Sequence, residues 1–229
     1  MINSSIYKIF LVKYTYFAII KLINLISMKK INYFFNFIKS YRYIFLKVFF
    51  FEVFYSFKFK ELIPLMKVHN HATRTDTVPC VFFFLHEISK FIKKNRIKSI
   101  VDVGSGFGRV VNFLSVLNNI KSHGIEFDKD VHKNALKLRE KRVKLYCGDI
   151  FNFRLDRFNS NCFILIDPFK KIKDRNKFLF RFKKIFPKKI KYLITVNIYK
   201  KTLPKEFNLI FSIIASKNRC LKIYKINPK

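Results

Sequence analysis

The chain has 229 residues, half of them hydrophobic, and its 47 Lys and Arg against 14 Asp and Glu give a formal charge of +33. This length suits one domain with an extension, and the apolar content excludes a disordered polyelectrolyte. The charge does not by itself name a polyanionic partner, because an excess of Lys, Ile, Phe, Asn and Tyr with no Trp is also what AT-rich coding produces.

Residues 1–60 are aromatic, aliphatic and basic, and Glu52 is their only acid. The stretch from Ile9 to Met28 has the length of a membrane span, but Lys13 and Lys21 interrupt it. Lys13, Lys21 and Asn24 share one helical face; Asn36, Lys39, Tyr43 and Lys47 recur at three- or four-residue spacing. Two cationic amphipathic helices are therefore expected. Three placements stay open for them: an anionic membrane interface, a cover packed on the following domain, or a true span. No small-residue cleavage site follows Met28, so a cleaved signal peptide is not expected. Residues 61–96 begin as a loop-rich link holding Pro64, the polar run His69 to Thr77 and Pro79. They continue as a helix over 81–94 with Phe84, Leu85, Ile88, Phe91 and Ile92 on one face. His69 and His71 have no third ligand at useful spacing, so no metal site is expected.

Over 97–229 strands and helices alternate. Strand 98–103 leads to helix 108–119, and strand 121–126 to helix 128–141 with Asp128 as N-cap. Strand 143–148 precedes a polar loop, strand 162–167 a helix over 171–186, and strand 190–198 a basic linker. Runs 207–215 and 219–226, joined by Ser216-Lys217-Asn218, read as a hairpin. The expected fold is α/β: a Rossmann-like, mostly parallel seven-stranded sheet with an antiparallel C-terminal hairpin, preceded by an α-helical N-terminal extension. The cysteines (Cys80, Cys147, Cys162, Cys220) form no C-x-x-C pair, which suits a reducing cytoplasm; the last three are expected to fill strands as small apolar residues.

The chemistry concentrates where the first strand ends. Ile100 to Val103 runs into Asp102, Gly104, Gly106 and Gly108, a tight turn in which glycine lets a ligand approach main chain closely. A dinucleotide would put its pyrophosphate on this turn, where Asp102 repels it, and Arg109 stands where a third glycine of G-x-G-x-x-G would fall. S-adenosylmethionine has no phosphate and offers an ammonium and a sulfonium instead, so Asp102 points to that cofactor. Four successive predicted strands end on acids, Asp102, Glu126, Asp149 and Asp167, in a chain poor in acids. In an open α/β sheet these ends face one crevice, and the four carboxylates are expected to ring it.

With these motifs in place, residues 81–229 resemble a class I S-adenosylmethionine-dependent methyltransferase. The resemblance rests on Val101 to Gly108, Gly124-Ile125-Glu126, Cys147-Gly148-Asp149-Ile150 and Ile164 to Phe169. It implies that Gly104, Ser105, Gly106 and Gly108 cradle the methionine part and that Asp102 orients its ammonium. It further implies that Glu126 takes the ribose hydroxyls, that Asp149 and Ile150 meet the adenine, and that Asp167 and Phe169 lie beside the methyl group. Within the superfamily the chain is most similar to small bacterial members that read Asn-Pro-Phe at the fourth strand, where this sequence has Asp167. The loop and second strand also resemble the non-SET lysine methyltransferases.

Asp167-Pro168-Phe169 resembles the Asp/Asn-Pro-Pro-Tyr/Phe motif of enzymes acting on base amines, without its second proline. The basic run 170–191 follows at once, so nucleic acid is one expected acceptor; a protein amine and a small molecule, lipid or glycan are others. A membrane-associated scaffold that keeps the fold without catalysis is the non-enzymatic alternative. The expected location is the cytoplasm, peripheral on the inner face of the membrane if residues 1–60 meet lipid.

Overall fold

The structure, a computed structural model, describes residues 28–59, 79–169, 171–185, 191–198, 203, 206–216 and 218–226. Two compact units divide at Lys39/Ser40. The described part of the first is helical, lying within α1 (Met28–Tyr41). The predicted segment Ile9 to Met28 falls almost wholly outside the described residues, as do His69 and His71. Among the described residues no helix is long and apolar enough to cross a membrane.

The second unit is built on a seven-stranded sheet in the order β3-β2-β1-β4-β5-β7-β6. Its members are β1 (Ser99–Val103), β2 (Lys121–Glu126), β3 (Val143–Cys147), β4 (Cys162–Ile166), β5 (Tyr192–Val196), β6 (Phe207–Ser216) and β7 (Arg219–Ile226). β1 to β5 pair in parallel, and β7 pairs antiparallel with both β5 and β6. This is the mostly parallel sheet with a terminal hairpin that the alternation of the sequence predicts. The chain leaves β1 and turns outward to β2 and β3, then crosses back to β4 on the other side. That reversal opens a crevice at the carboxyl ends of β1 and β4.

Side chains alternate between the two faces of each strand. Val101, Val103, Phe163, Leu165 and Leu193 form one core with Phe178, Leu179 and Phe182 of α6 (Ile172–Ile185). On the other face α3 (Phe82–Lys94) and α4 (Arg109–Asn118) bury Phe82, Phe84, Leu85, Ile88, Phe113 and Leu114. α2 (Phe45–Phe59) lies on α3, burying Val48, Tyr55 and Ser56. The Tyr55 hydroxyl meets His86 Nδ1 at 2.9 Å, and its ring stands edge-on to Phe113 at 4.8 Å. The expected polar stripe Asn36–Lys39–Tyr43–Lys47 does not lie on one helix, because Arg42 enters the left-handed region (φ 45°) and a 3-10 turn, Arg42–Ile44, separates α1 from α2.

α5 (Lys129–Lys137) begins as predicted, with Asp128 Oδ1 accepting from the amides of Asp130 (2.8 Å) and Val131 (3.0 Å). It ends four residues earlier than the expected 141. Asn112 on α4 takes over the exit: its Nδ2 donates to the Leu138 carbonyl (3.1 Å) and its Oδ1 accepts from the Glu140 amide (3.0 Å). Those groups would otherwise continue the helix. The cysteine expectation also needs correction. Cys162 and Cys220 are buried fillers, but Cys147 ends an edge strand and is exposed, while Cys80, outside any strand, is buried.

Candidate functional site

A cleft open to solvent lies at the carboxyl ends of the first four strands. Gly104, Ser105, Gly106, Glu126, Asp149, Ile150 and Phe169 are among the residues that line it. Three expected site residues are not among its lining: Asp102, Gly108 and Asp167. The ring of four carboxylates therefore reduces to Glu126 and Asp149 at the surface of the cleft.

The glycine loop shows why. Its amides are spent inside the protein: Gly104 N–H and Ser105 N–H both donate to the Ile125 carbonyl (2.8 and 3.0 Å), and Gly108 N–H donates to the Ser105 carbonyl (2.9 Å). Gly106 N–H donates to Glu126 Oε2 at 2.7 Å. A phosphate-binding loop turns such groups toward its anion, whereas here a buried carboxylate already occupies one of them. Gly104 has φ +76°, and a Cβ on it would stand 2.8 Å from Pro168 Cβ; Gly108 has φ +82° and caps α4. Gly124 admits the loop itself, since a Cβ there would meet Ser105 Cβ at 2.8 Å.

Glu126 is only 8% exposed and is gripped from two sides, Oε2 by Gly106 and Oε1 by the Asp128 amide (2.9 Å). Each carboxylate oxygen has a second lone pair for another donor, so this fixed group can accept a vicinal diol. Asp149 Oδ1 caps a 3-10 turn through the Phe151 amide (3.0 Å), which sets Ile150 against the cleft. Asp102 is fully buried, and neither carboxylate oxygen has a hydrogen-bond partner among the described residues. Burial first, and the nearby Glu126 second, push its pKa up to about 8. Asp167 sits past β4 in the left-handed region (φ 40°); burial raises its pKa and Arg175 opposes the rise. Phe169 packs between Phe151 and Phe178 (6.2 and 5.4 Å between centroids).

No protein-family profile and no curated protein sequence matches this chain. Solved structures do. A Staphylococcus aureus structure provisionally assigned as a caffeoyl-CoA O-methyltransferase shares 14% identity over 65% of this chain and 86% of its own, with a TM-score of 0.52. A single-residue mutant of MtNAS shares 12% identity over 65% of this chain and 62% of its own, at 0.51. An RNA methyltransferase from Salinibacter ruber, crystallised with S-adenosyl-L-homocysteine, covers 66% of this chain and 95% of its own at 16% identity and 0.48. The fold is that of the class I S-adenosylmethionine-dependent methyltransferases.

On that methyltransferase fold, one wall of the cleft comes from residues that the motifs do not mark. Pro79, Cys80 and Arg109 line it. Arg109 Nη1 donates to Glu52 Oε2 (3.2 Å) and to the Cys80 carbonyl (3.1 Å), and its guanidinium carbon lies 4.1 Å from the centre of the Phe82 ring. Glu52 Oε1 accepts from the Phe82 amide. The available signal was the solitary acid of residues 1–60 together with the cation just after the glycines. Burial pushes the Cys80 thiol pKa up, so it is a poor nucleophile. Arg181, read in the sequence as part of a basic run, turns inward instead and donates to the carbonyls of Phe151 and Phe153 behind Ile150. Lys177 lies over the Phe151 ring at 4.7 Å. Among the described residues no cluster of side chains suits a metal ion.

Proposed function

We propose that the protein is an S-adenosylmethionine-dependent methyltransferase. The observation that carries this reading is the glycine loop: its amides are consumed by Ile125, Ser105 and Glu126, and an unpartnered carboxylate is buried close by at Asp102. Such a loop suits a ligand that brings positive charge and no phosphate. The buried Asp102 lies off the lining and favours an ammonium at the loop through its field or one water, and the pinned Glu126 fits a ribose diol. Asp149 and Ile150 would hold the adenine, and Gly104, Ser105 and Gly106 the methionine chain. Gly108 shapes the turn into α4 and has no direct ligand role in this reading.

The sulfonium supplies an activated methyl with a good leaving group. The protein's part is to hold the acceptor in line, about 3 Å from that carbon, and to exclude water. Phe169 and Pro168 form the floor at this end. Asp167 lies off the lining, so no proton transfer is assigned to it; an amine can shed its proton late to solvent. For the acceptor we favour a nucleic-acid base amine. Exposed Lys171 and Lys173 at the start of α6 adjoin Asp167-Pro168-Phe169, where a phosphate backbone would pass. The test is transfer of labelled methyl from S-adenosylmethionine to RNA, protein and lipid fractions of a cell extract. Label in RNA, lost at high salt, supports the reading. Label confined to protein or lipid overturns the acceptor class, and label in no fraction favours a scaffold that has kept the fold.

A further inference from the structure

Resting on the S-adenosylmethionine reading of the cleft, we infer that Arg109, held by Glu52 of α2, is the counter-ion for the amino-acid carboxylate of the cofactor. That carboxylate is the ligand's one anion, and something in the cleft must meet it. The amides of Gly104, Ser105, Gly106 and Gly108 are already committed within the protein. Arg109 is the one cation among the described residues lining the cleft, and in sequence it directly follows the glycine loop that holds the methionine part in this reading.

Its surroundings suit that task. Arg109 is 7% exposed, so its attraction for an incoming anion is weakly screened. It is the first residue of α4, where the helix dipole adds charge of the same sign. A guanidinium stays protonated and presents its N–H donors in a fixed planar fork that matches a carboxylate. Glu52 and the Cys80 carbonyl anchor one of its nitrogens, and the Phe82 ring supports its plane. Glu52 also keeps the cation from standing alone in a buried site when no ligand is bound. Arg109 is thus the contact residue and Glu52 a positioning residue, which makes α2 a working part of the cofactor site although it precedes the strand–helix repeat.

The test uses the full chain in calorimetric titration with two ligands: S-adenosylhomocysteine, and 5′-methylthioadenosine, which keeps the adenosine and thioether but lacks the amino-acid group. Arg109→Met should weaken S-adenosylhomocysteine by about 30-fold and leave methylthioadenosine within about twofold, the loss expected for one charge-assisted contact. Arg109→Lys, which keeps the charge on a shorter and less directional group, should lose about 5-fold on the first ligand alone. Glu52→Gln replaces an acceptor oxygen by a donor, so that Phe82 N–H or Arg109 loses its partner; a selective loss of about 5-fold is expected. Equal weakening of both ligands, or unchanged S-adenosylhomocysteine affinity in the arginine variants, overturns the assignment and leaves the cofactor reading intact. Failure of the unaltered protein to bind either ligand overturns both.

Discussion

The cleft has two walls of different origin. One is local: β1, the glycine loop and β2 interlock through bonds among residues 102–128, such as Gly106 to Glu126 and Asp128 to Glu126. The other is assembled over distance, with Arg109 reaching Glu52 across 57 residues of sequence and Cys80 across 29. Damage to the local wall should act on geometry at one turn. Damage to the assembled wall should loosen α2 and the cleft together, because the buried Glu52–Arg109 pair joins them.

Four substitutions sharpen that contrast. The largest effect is expected from Asp102. Its native pKa of about 8 lies above the unfolded value of 3.8, so between these the native state holds a proton that the unfolded chain has released. Stability of the ligand-free protein should therefore be greatest at low pH in this window and fall by roughly 1.4 kcal/mol per unit as pH rises toward 8. Asp102→Asn should remove that component, as read by urea unfolding at pH 5 and pH 8.5; identical pH profiles for the two proteins would refute the buried-acid account. Next comes Glu52→Ala, which removes the carboxylate of the buried pair with Arg109 and should cost about 3–5 kcal/mol. A loss under about 1 kcal/mol would mean that the pair contributes as a surface pair does.

Gly104→Ala probes the local wall. A Cβ at 2.8 Å from Pro168 and a positive φ should together cost about 1–3 kcal/mol, visible as a lowered melting temperature with Glu52 and Arg109 still paired. The smallest effect belongs to Arg181→Met, which removes donors from the Phe151 and Phe153 carbonyls. About 1 kcal/mol is expected, with faster hydrogen exchange confined to residues 149–158 as the accompanying sign.

The same division governs what could be read from the sequence. Strand–helix alternation, the glycine turn and the Asp128 cap follow from local chemistry, and the sheet order with its terminal hairpin agrees with them. Features that depend on partners far along the chain were not legible. The early end of α5 needs Asn112 from α4, the exposure of Cys147 needs β3 to be an edge, and the inward turn of Arg181 needs the loop after β3. Four acids in matching sequence positions suggested four carboxylates in one crevice. Strand alternation and loop geometry instead seal Asp102 inside and leave Asp167 off the lining, with Glu126 and Asp149 facing the cleft.

The most direct measurement is calorimetric titration of the full chain at pH 7 with S-adenosylhomocysteine and, separately, with NAD, in buffers of different ionisation enthalpy. The account predicts micromolar binding of the first with release of a proton, as Asp102 ionises against the incoming ammonium, and no binding of the second. Tighter binding of NAD, or no heat with S-adenosylhomocysteine, would contradict it.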